Sequence, residues 1–176
     1  MQLIHRFFEA INRILPAKPV YAHCDIPCGI YDPHLAQMAA HTVIRMNTLI
    51  GELQKEHGKD HKDHNHNHMQ EHVHKMARYT LVKEEHAELC KKEIRILWGD
   101  YFKPEHADKH PELHELVWNV MKQASKARQE INMQAAEDLL ETVNKIAEIF
   151  WETKGVKTSR VKAPYPTGRE IVVPKL

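Results

Sequence analysis

The sequence has little of several features that define other classes of protein. Its three cysteines are too few for a disulfide framework. Six glycines and nine prolines in 176 residues disfavour a turn-rich β-sandwich or barrel and leave room for long helices. No apolar run approaches the ~18 to 20 residues of a membrane-spanning helix. The 25 lysines and arginines nearly balance 24 acidic residues, so the chain lacks the charge excess of a nucleic-acid binder. We therefore expect a soluble helical domain with neither nucleic acid nor membrane as a partner.

From Asp32 onward, apolar residues recur at three- and four-residue steps, which predicts four amphipathic helices. Joined by short connections, such helices predict an all-α fold, namely an antiparallel four-helix bundle. The expected boundaries are a start at Asp32–Pro33, stops at Gly58 and Gly99, a start at Pro111 and a stop near Gly155. The predicted core stripes are Leu35, Met38, Thr42, Met46, Leu49 and Leu53; Val73, Met76, Thr80, Ala87, Cys90, Ile94 and Leu97; Leu113, Leu116, Val117, Val120, Met121 and Ala124; and Ile131, Ala135, Leu139, Val143, Ile146 and Phe150.

Both ends of the chain differ from this helical domain, which we place at residues 23–154. Residues 1–22 have a basic start and end in a small residue, but two prolines and several polar residues interrupt their apolar positions. We expect this segment to be a leader that proteolysis removes. Residues 155–176 are basic and proline-punctuated, which predicts an extension over the surface or towards a neighbour. Residues 170–173 could form a short strand, but we expect it to lack a partner.

A histidine-rich insertion at residues 57–74 holds seven of the fifteen histidines. Neutral imidazoles bind transition metals near neutral pH, so metal storage or loading is one interpretation of the segment. The favoured interpretation is a solvated, low-complexity loop without a catalytic role, because a flexible tract does not hold a reactive geometry.

The run HCDIPCGIYDP follows the leader and concentrates metal donors. Removal of the leader would expose the α-amino group of His23 beside its imidazole, and Cys24 would add a backbone amide and a thiolate. Cys28 brings a second thiolate if Pro27 and Gly29 reverse the chain. Nitrogen and sulfur donors in one plane suit Ni(II) or Cu(II) better than Zn(II), which prefers a tetrahedron. A redox disulfide or part of a zinc site are the alternatives for the cysteine pair.

The same run resembles the nickel-hook signature of nickel superoxide dismutases, H-C-x-x-P-C-G-x-Y. The segments LVKEEHAELCKKEIRILWGDYFKPEH, HPELHELV and KIAEIFWETK also resemble the later helices of that family, so the likeness covers most of residues 23–154. The resemblance implies an enzyme that disproportionates superoxide to dioxygen and hydrogen peroxide by Ni(II)/Ni(III) cycling. It also implies one nickel ion per subunit, a homohexamer of four-helix bundles, and a protease that frees the metal-binding histidine from its precursor.

The resemblance also assigns roles to residues of the hook. It makes His23, Cys24 and Cys28 the metal ligands. His23 is expected to bind through its amine and its axial imidazole, Cys24 through its thiolate and backbone amide, and Cys28 through its thiolate. Asp25 is expected to shape the loop. Tyr31 is expected near the open axial position, where it restricts access to small anions, and Tyr101 matches a tyrosine of the family near the metal site.

The chain also departs from the family pattern. Some members have a glutamate at the position of Ala39 that helps to hold the axial histidine. The arginine that shares this role in the family is replaced by His86 in this chain. We therefore expect the support of the His23 imidazole to come from elsewhere, with His86 as a candidate. Arg78 and Lys103 are the candidates for local attraction of the anionic substrate.

The alternative function is a nickel or zinc storage or delivery protein, which would bind metal without turnover. The cytoplasm is the expected location, because no clean export signal is present and cysteines stay reduced there. Cys90 lies on the predicted apolar stripe of the second helix, and we expect a buried core thiol without a metal.

Overall fold

A computed structural model describes residues 29–57 and 66–175, and most of these residues are helical. The leader, the run His23–Cys28 and residues 58–65 lie outside the described residues. The helices are α1 (His34–His57), α2 (His66–Ile96), α3 (Pro104–Lys109), α4 (Leu113–Gln129) and α5 (Met133–Thr153). A π-helical turn, Leu97–Tyr101, continues α2, and strands β1 (Thr158–Lys162) and β2 (Glu170–Pro174) follow α5.

The four long helices pack around a common apolar core. Helix α1 contacts α2 and α5, and α4 contacts the same two helices from the other side. The fully buried side chains at the centre include Val43, Ile94, Val120, Leu139 and Ile146. No helix in the described part of the chain is both long enough and apolar enough to cross a membrane.

Capping side chains and a glycine set several ends of these helices. The Asp32 carboxylate accepts a hydrogen bond from the backbone N–H of His34 at 2.7 Å, as expected of an N-cap. At the start of α5, the Asn132 side chain accepts from the N–H of Ala135 at 2.9 Å. Gly155 follows α5 with a φ of +70°, a left-handed conformation that glycine adopts without a steric penalty. The predicted start at Asp32 and the stop near Gly155 are confirmed.

Helix α2 begins earlier than predicted and includes part of the histidine-rich insertion. Residues 66–74 are helical, so the loop interpretation is wrong for them. No glycine or proline interrupts the sequence between His66 and Ile96, and polar residues such as Gln, Glu, Lys and Arg are good helix formers. An ion pair between Lys75 and Glu71, at 2.7 Å, links successive turns on the exposed surface.

The predicted core stripes are confirmed for most of α4 and α5 and are partly wrong for α1 and α2. The exposed members are Leu35, Met38, Val73, Thr80 and Ile131. Helix α1 instead buries a face that begins with Ala36, Ala39 and Ala40. Alanines at a helix contact allow close approach of the neighbouring helices, and a pattern based on large side chains overlooks them.

The C-terminal segment forms a β-hairpin on the face of α1 and α5. Strands β1 and β2 pair antiparallel, with Arg160 opposite Val172, so the expectation that the terminal strand lacks a partner is wrong. The charged residues Arg160 and Lys162 hide the strand character of β1 in the sequence. The hairpin buries Ile171 and Val172, each at most 6% exposed, against the helices.

Two buried amide side chains satisfy the outer edge of β2. Gln37, which is 1% exposed, donates from Nε2 to the Val172 carbonyl at 3.1 Å and accepts from the Val172 N–H at 2.7 Å. Asn144 donates from Nδ2 to the Glu170 carbonyl at 3.1 Å. Backbone groups buried without partners cost free energy, so these amides replace a neighbouring strand.

Surface ion pairs connect the hairpin to α5. Arg160 in β1 donates from Nε to Glu148 and from Nη1 to Glu141, both at 2.7 Å. These hydrogen bonds, that to Glu148 first, raise the pKa of Arg160 above its already high value. Arg169 pairs with Glu137 in the same way. The hairpin is therefore attached to the helices by both buried amides and surface charges.

Replacing Gln37 with leucine is expected to lower the free energy of unfolding by about 2–4 kcal/mol, because it leaves a buried N–H and a buried carbonyl of Val172 without partners. Chemical denaturation would measure the loss, and hydrogen exchange would show whether protection falls at residues 170–174. The matched control is Gln54→Leu, at an exposed position of the same helix. Equal stability of the two variants would contradict the anchoring role of Gln37.

His41 adds a pH-dependent contribution to the same attachment. Its Nδ1 lies 2.7 Å from the Thr167 hydroxyl. Burial lowers the pKa of His41, with a smaller opposing effect from the Glu170 backbone. The unfolded chain then takes up a proton at higher pH than the folded one, so stability is lost as the pH falls below the ordinary histidine pKa of about 6.5.

We expect His41→Gln to weaken this pH dependence of stability between about pH 7.5 and 5.5. Denaturation of this variant and of His74→Gln, at an exposed position, would test the effect; identical pH profiles would contradict it.

Candidate active site

An aromatic pair involves one of the first described residues, Tyr31. Gly29 has a φ of +90°, a left-handed backbone conformation that glycine adopts without a steric penalty. Two residues later, the ring of Tyr31 lies 5.5 Å from the ring of Tyr101, measured between centroids, at an interplanar angle of 53°. Residues seventy positions apart therefore meet at the point where the chain leaves the hook sequence.

The π-helical turn places Tyr101 at the centre of an aromatic cluster. The N–H of Phe102 donates to the Leu97 carbonyl at 2.9 Å, a bond that spans five residues instead of four. The Tyr101 ring lies 4.6 Å from Phe150 and 5.3 Å from Phe102, and it stacks on His106 at 5.8 Å, all between centroids. The ring is held on several sides, so its orientation towards Tyr31 is fixed by packing.

The hydroxyl of Tyr101 is bound on the side of α5. It lies 2.7 Å from the Thr153 hydroxyl, and that hydroxyl donates its single hydrogen to the Phe150 carbonyl, also at 2.7 Å. Thr153 can therefore only accept from Tyr101, which makes the tyrosine the donor. The Tyr101 proton is committed to a structural hydrogen bond.

Metal donors do not form a cluster in the described part of the chain. Among those residues, no group of three or more His, Cys, Asp or Glu side chains could hold a metal ion. Cys90 is fully buried, and burial raises the pKa of its thiol to about 12. The expectation of a buried core thiol is confirmed. Of the three cysteines in the sequence, only Cys24 and Cys28 are left to provide thiolate ligands.

Residues 18–154 match the family model described as nickel-containing superoxide dismutase. The chain belongs to this family. The nickel superoxide dismutase of Streptomyces coelicolor is 38% identical over 139 residues, which cover 79% of this chain and 93% of the relative. The corresponding protein of Streptomyces seoulensis is 35% identical over the same coverage. The predicted family membership is confirmed.

The fold agrees with solved structures of the family. A native nickel superoxide dismutase structure aligns with a TM-score of 0.58 at 38% identity, covering 75% of this chain and 99% of that one. A structure of a nickel-containing superoxide dismutase with the nickel ligation of the oxidized state also gives a TM-score of 0.58, at 36% identity, and covers 76% of this chain and 99% of that one. The β-hairpin lies beyond the residues that the family model matches.

The predicted site residues fall into two groups. His23, Cys24, Asp25 and Cys28 lie outside the described residues, and their roles stay predictions. Tyr31 and Tyr101 are described and are brought together.

Of the two cations suggested by the sequence, only one is close to the tyrosine pair. Arg78 lies about 27 Å from the C-terminal end of α2 along the helix axis. This separation puts it far from Tyr101 in the same chain. Lys103 is two residues after Tyr101 and is exposed.

Sequence reasoning missed two residues that contact the tyrosine pair from the end of α5. Thr153 accepts the Tyr101 hydrogen bond, and the Lys154 amine lies 5.3 Å from the centroid of the Tyr101 ring. Both lie in KIAEIFWETK, which carries the family likeness, but no spacing relates this segment to Tyr101 across fifty residues. A contact at that separation becomes visible only in the folded chain.

A double-mutant cycle is expected to detect the Tyr101–Thr153 hydrogen bond. Tyr101→Phe and Thr153→Val remove the same interaction, so their combined effect on the free energy of unfolding should be smaller than the sum by about 1 kcal/mol. Thermal or chemical denaturation of the four proteins would measure this coupling. A cycle with Thr80→Val, at an exposed position of α2, should be additive. Additivity in both cycles would contradict the assigned bond.

Proposed function

We propose that the chain disproportionates superoxide at a nickel hook formed by His23, Cys24 and Cys28, with Tyr31 at its open side. Family membership makes the chain a nickel-dependent superoxide dismutase, which converts two superoxide ions and two protons to dioxygen and hydrogen peroxide. The observation that carries the location of the site is the contact between Tyr31 and Tyr101. Storage or delivery of metal is not favoured.

The donors of the hook fit nickel. A free amine, an imidazole, a backbone amide and two thiolates form a nitrogen and sulfur set that suits a square-planar or tetragonal ion. The Cys90 thiol is not available to such a site because it is buried and protonated. The amine of His23 exists only after removal of residues 1–22, so we propose a precursor that a protease activates.

The residues around the hook control the access of superoxide and the supply of protons. When bound, nickel supplies a one-electron couple that anionic thiolate and amide donors bring into the range needed by superoxide. Tyr31 narrows the opening beside the hook and, with Tyr101 packed behind it, limits entry to small anions. Because the Tyr101 hydroxyl donates its hydrogen to Thr153, the protons for peroxide come from water, from Tyr31 or from a protonated cysteine sulfur of the hook. Asp25 shapes the loop between the two cysteines.

His86 is suited to hold the axial imidazole. Its Nδ1 lies 2.8 Å from the Val82 carbonyl, which can only accept, so Nδ1 carries the hydrogen and Nε2 of the neutral ring is an acceptor. The side chain at position 39 is a buried alanine and has no polar atom to offer. We propose that Nε2 of His86 accepts from the His23 ring in place of the glutamate and arginine found in some family members.

Assembly and location follow the family expectation. The ring of four long helices supports the antiparallel four-helix bundle. Trp118 and Trp98 are 61% and 45% exposed in the single chain, and exposed aromatic side chains of this size support a subunit interface in the proposed homohexamer. One nickel ion per subunit and a cytoplasmic location are part of the same proposal.

Superoxide decay should be fast only in nickel-loaded protein that begins at His23. A sample that retains Ala22 lacks the free amine of His23 and should bind nickel without fast turnover.

Cys24→Ser and Cys28→Ser should abolish turnover, since each removes a thiolate donor. Cys90→Ala should keep the nickel content and the activity per folded protein. Stopped-flow decay of superoxide and metal analysis would measure both quantities. Full activity of a nickel-loaded Cys24→Ser variant would contradict the hook, and no decay from any sample would favour storage or delivery.

A further inference from the structure

Lys154 carries a positive charge at the edge of the aromatic cluster. Its Nζ lies 5.3 Å from the Tyr101 ring centroid and 5.1 Å from that of Phe150. An ammonium within about 6 Å of a ring face is attracted by its electron density. The side chain is exposed, so its charge faces solvent while its position is fixed by two rings.

The backbone around Lys154 is also fixed. Gly155 donates its N–H to the Glu152 carbonyl at 2.8 Å, and Val156 donates to the Trp151 carbonyl at 3.0 Å. This pair of bonds, with the positive φ of Gly155, is the Schellman arrangement that closes a helix. Lys154 is the last residue before the reversal, and its direction is therefore set by a defined turn.

The charge of Lys154 is not neutralised by an ion pair within residues 29–57 and 66–175. The arginines of the hairpin and of α4 pair with glutamates, Arg160 with Glu141 and Arg128 with Glu88 among them, but no carboxylate pairs with Lys154. The neighbouring Glu152 lies 3.7 Å from His110 instead. A cation without a local counter-ion retains its attraction for a diffusing anion.

Lys154 is also close enough to Tyr31 to act on the opening. Its amine and the Tyr31 ring lie 5.3 Å and 5.5 Å from the same point, the Tyr101 ring centroid. Their separation is therefore at most about 11 Å, close to the electrostatic screening length of about 10 Å at 0.1 M salt. Arg78, about 27 Å from the end of α2, is beyond that range in the same chain.

We infer that Lys154 steers superoxide to the opening beside Tyr31. The inference rests on the proposed position of the hook, because Tyr31 marks where the anion must arrive. A unit charge about 10 Å away in water changes the local concentration of a monovalent anion by about twofold. Lys154 thus acts on the encounter rate and leaves the chemistry at the hook unchanged.

The test is the salt dependence of kcat/KM for superoxide in nickel-loaded protein that begins at His23. Lys154→Gln should lower kcat/KM by up to about twofold at ~0.01 M salt and should match the unmodified protein at ~1 M, where charges are screened within about 3 Å. Lys154→Arg should retain both the rate and its salt dependence, because it keeps the charge. The control is Lys145→Gln, which removes an equal charge at an exposed position of α5. Lys145 lies about 14 Å farther from the opening along the helix axis, so this variant should change the rate and its salt dependence clearly less.

Three results would overturn the inference. Equal salt dependence in Lys154→Gln and the unmodified protein would remove the steering role, and so would an equal effect of Lys145→Gln. A loss of rate that persists at ~1 M salt, with the nickel content unchanged, would show that Lys154 supports the structure instead. These results all require active unmodified protein; if that protein does not turn over, the proposed function fails together with the inference.

Discussion

The site depends on the fixed position of one side chain, Tyr101. Its ring touches Tyr31 at the start of the described chain and Phe150 near the end of α5, and its hydroxyl is bound to Thr153. Two stretches that are distant in sequence are thereby held against one ring. Because the hydroxyl is engaged as a donor, the tyrosine would support the proposed opening by packing and leave the proton chemistry to its neighbours.

Much of the fold and part of the site could be predicted from the sequence. Helical periodicity and the capping residues Asp32 and Gly155 are local signals, so they predicted the number of long helices and several of their ends. The hook run is also local, and it predicted the family that the comparisons confirm. The hairpin was not predicted, because β1 carries polar and charged side chains typical of a loop. The amides of Gln37 and Asn144 that satisfy β2 lie 135 and 26 residues from their partners in the chain, so no local pattern connects them.

The face of α1 shows a second limit of sequence reasoning. Hydrophobic size selected Leu35 and Met38 as core residues, whereas the helix contact uses the smaller Ala36 and Ala40. A helix pair gains from close approach as well as from apolar area, and an alanine stripe is a weak hydrophobic signal. The contacts of Thr153 and Lys154 with Tyr101 have no sequence signal at all, because the three-dimensional path of α5 brings them there.

The π-helical turn at Leu97–Tyr101 amounts to one extra residue inserted into the end of α2. Each residue of an α-helix turns the side-chain direction by about 100°. If the same residues were wound as a regular α-helix without this wider turn, the tyrosine would point away from Tyr31 and from Thr153. The contacts of Tyr101 with Tyr31 and Thr153 therefore depend on the wider winding of this turn as well as on its composition.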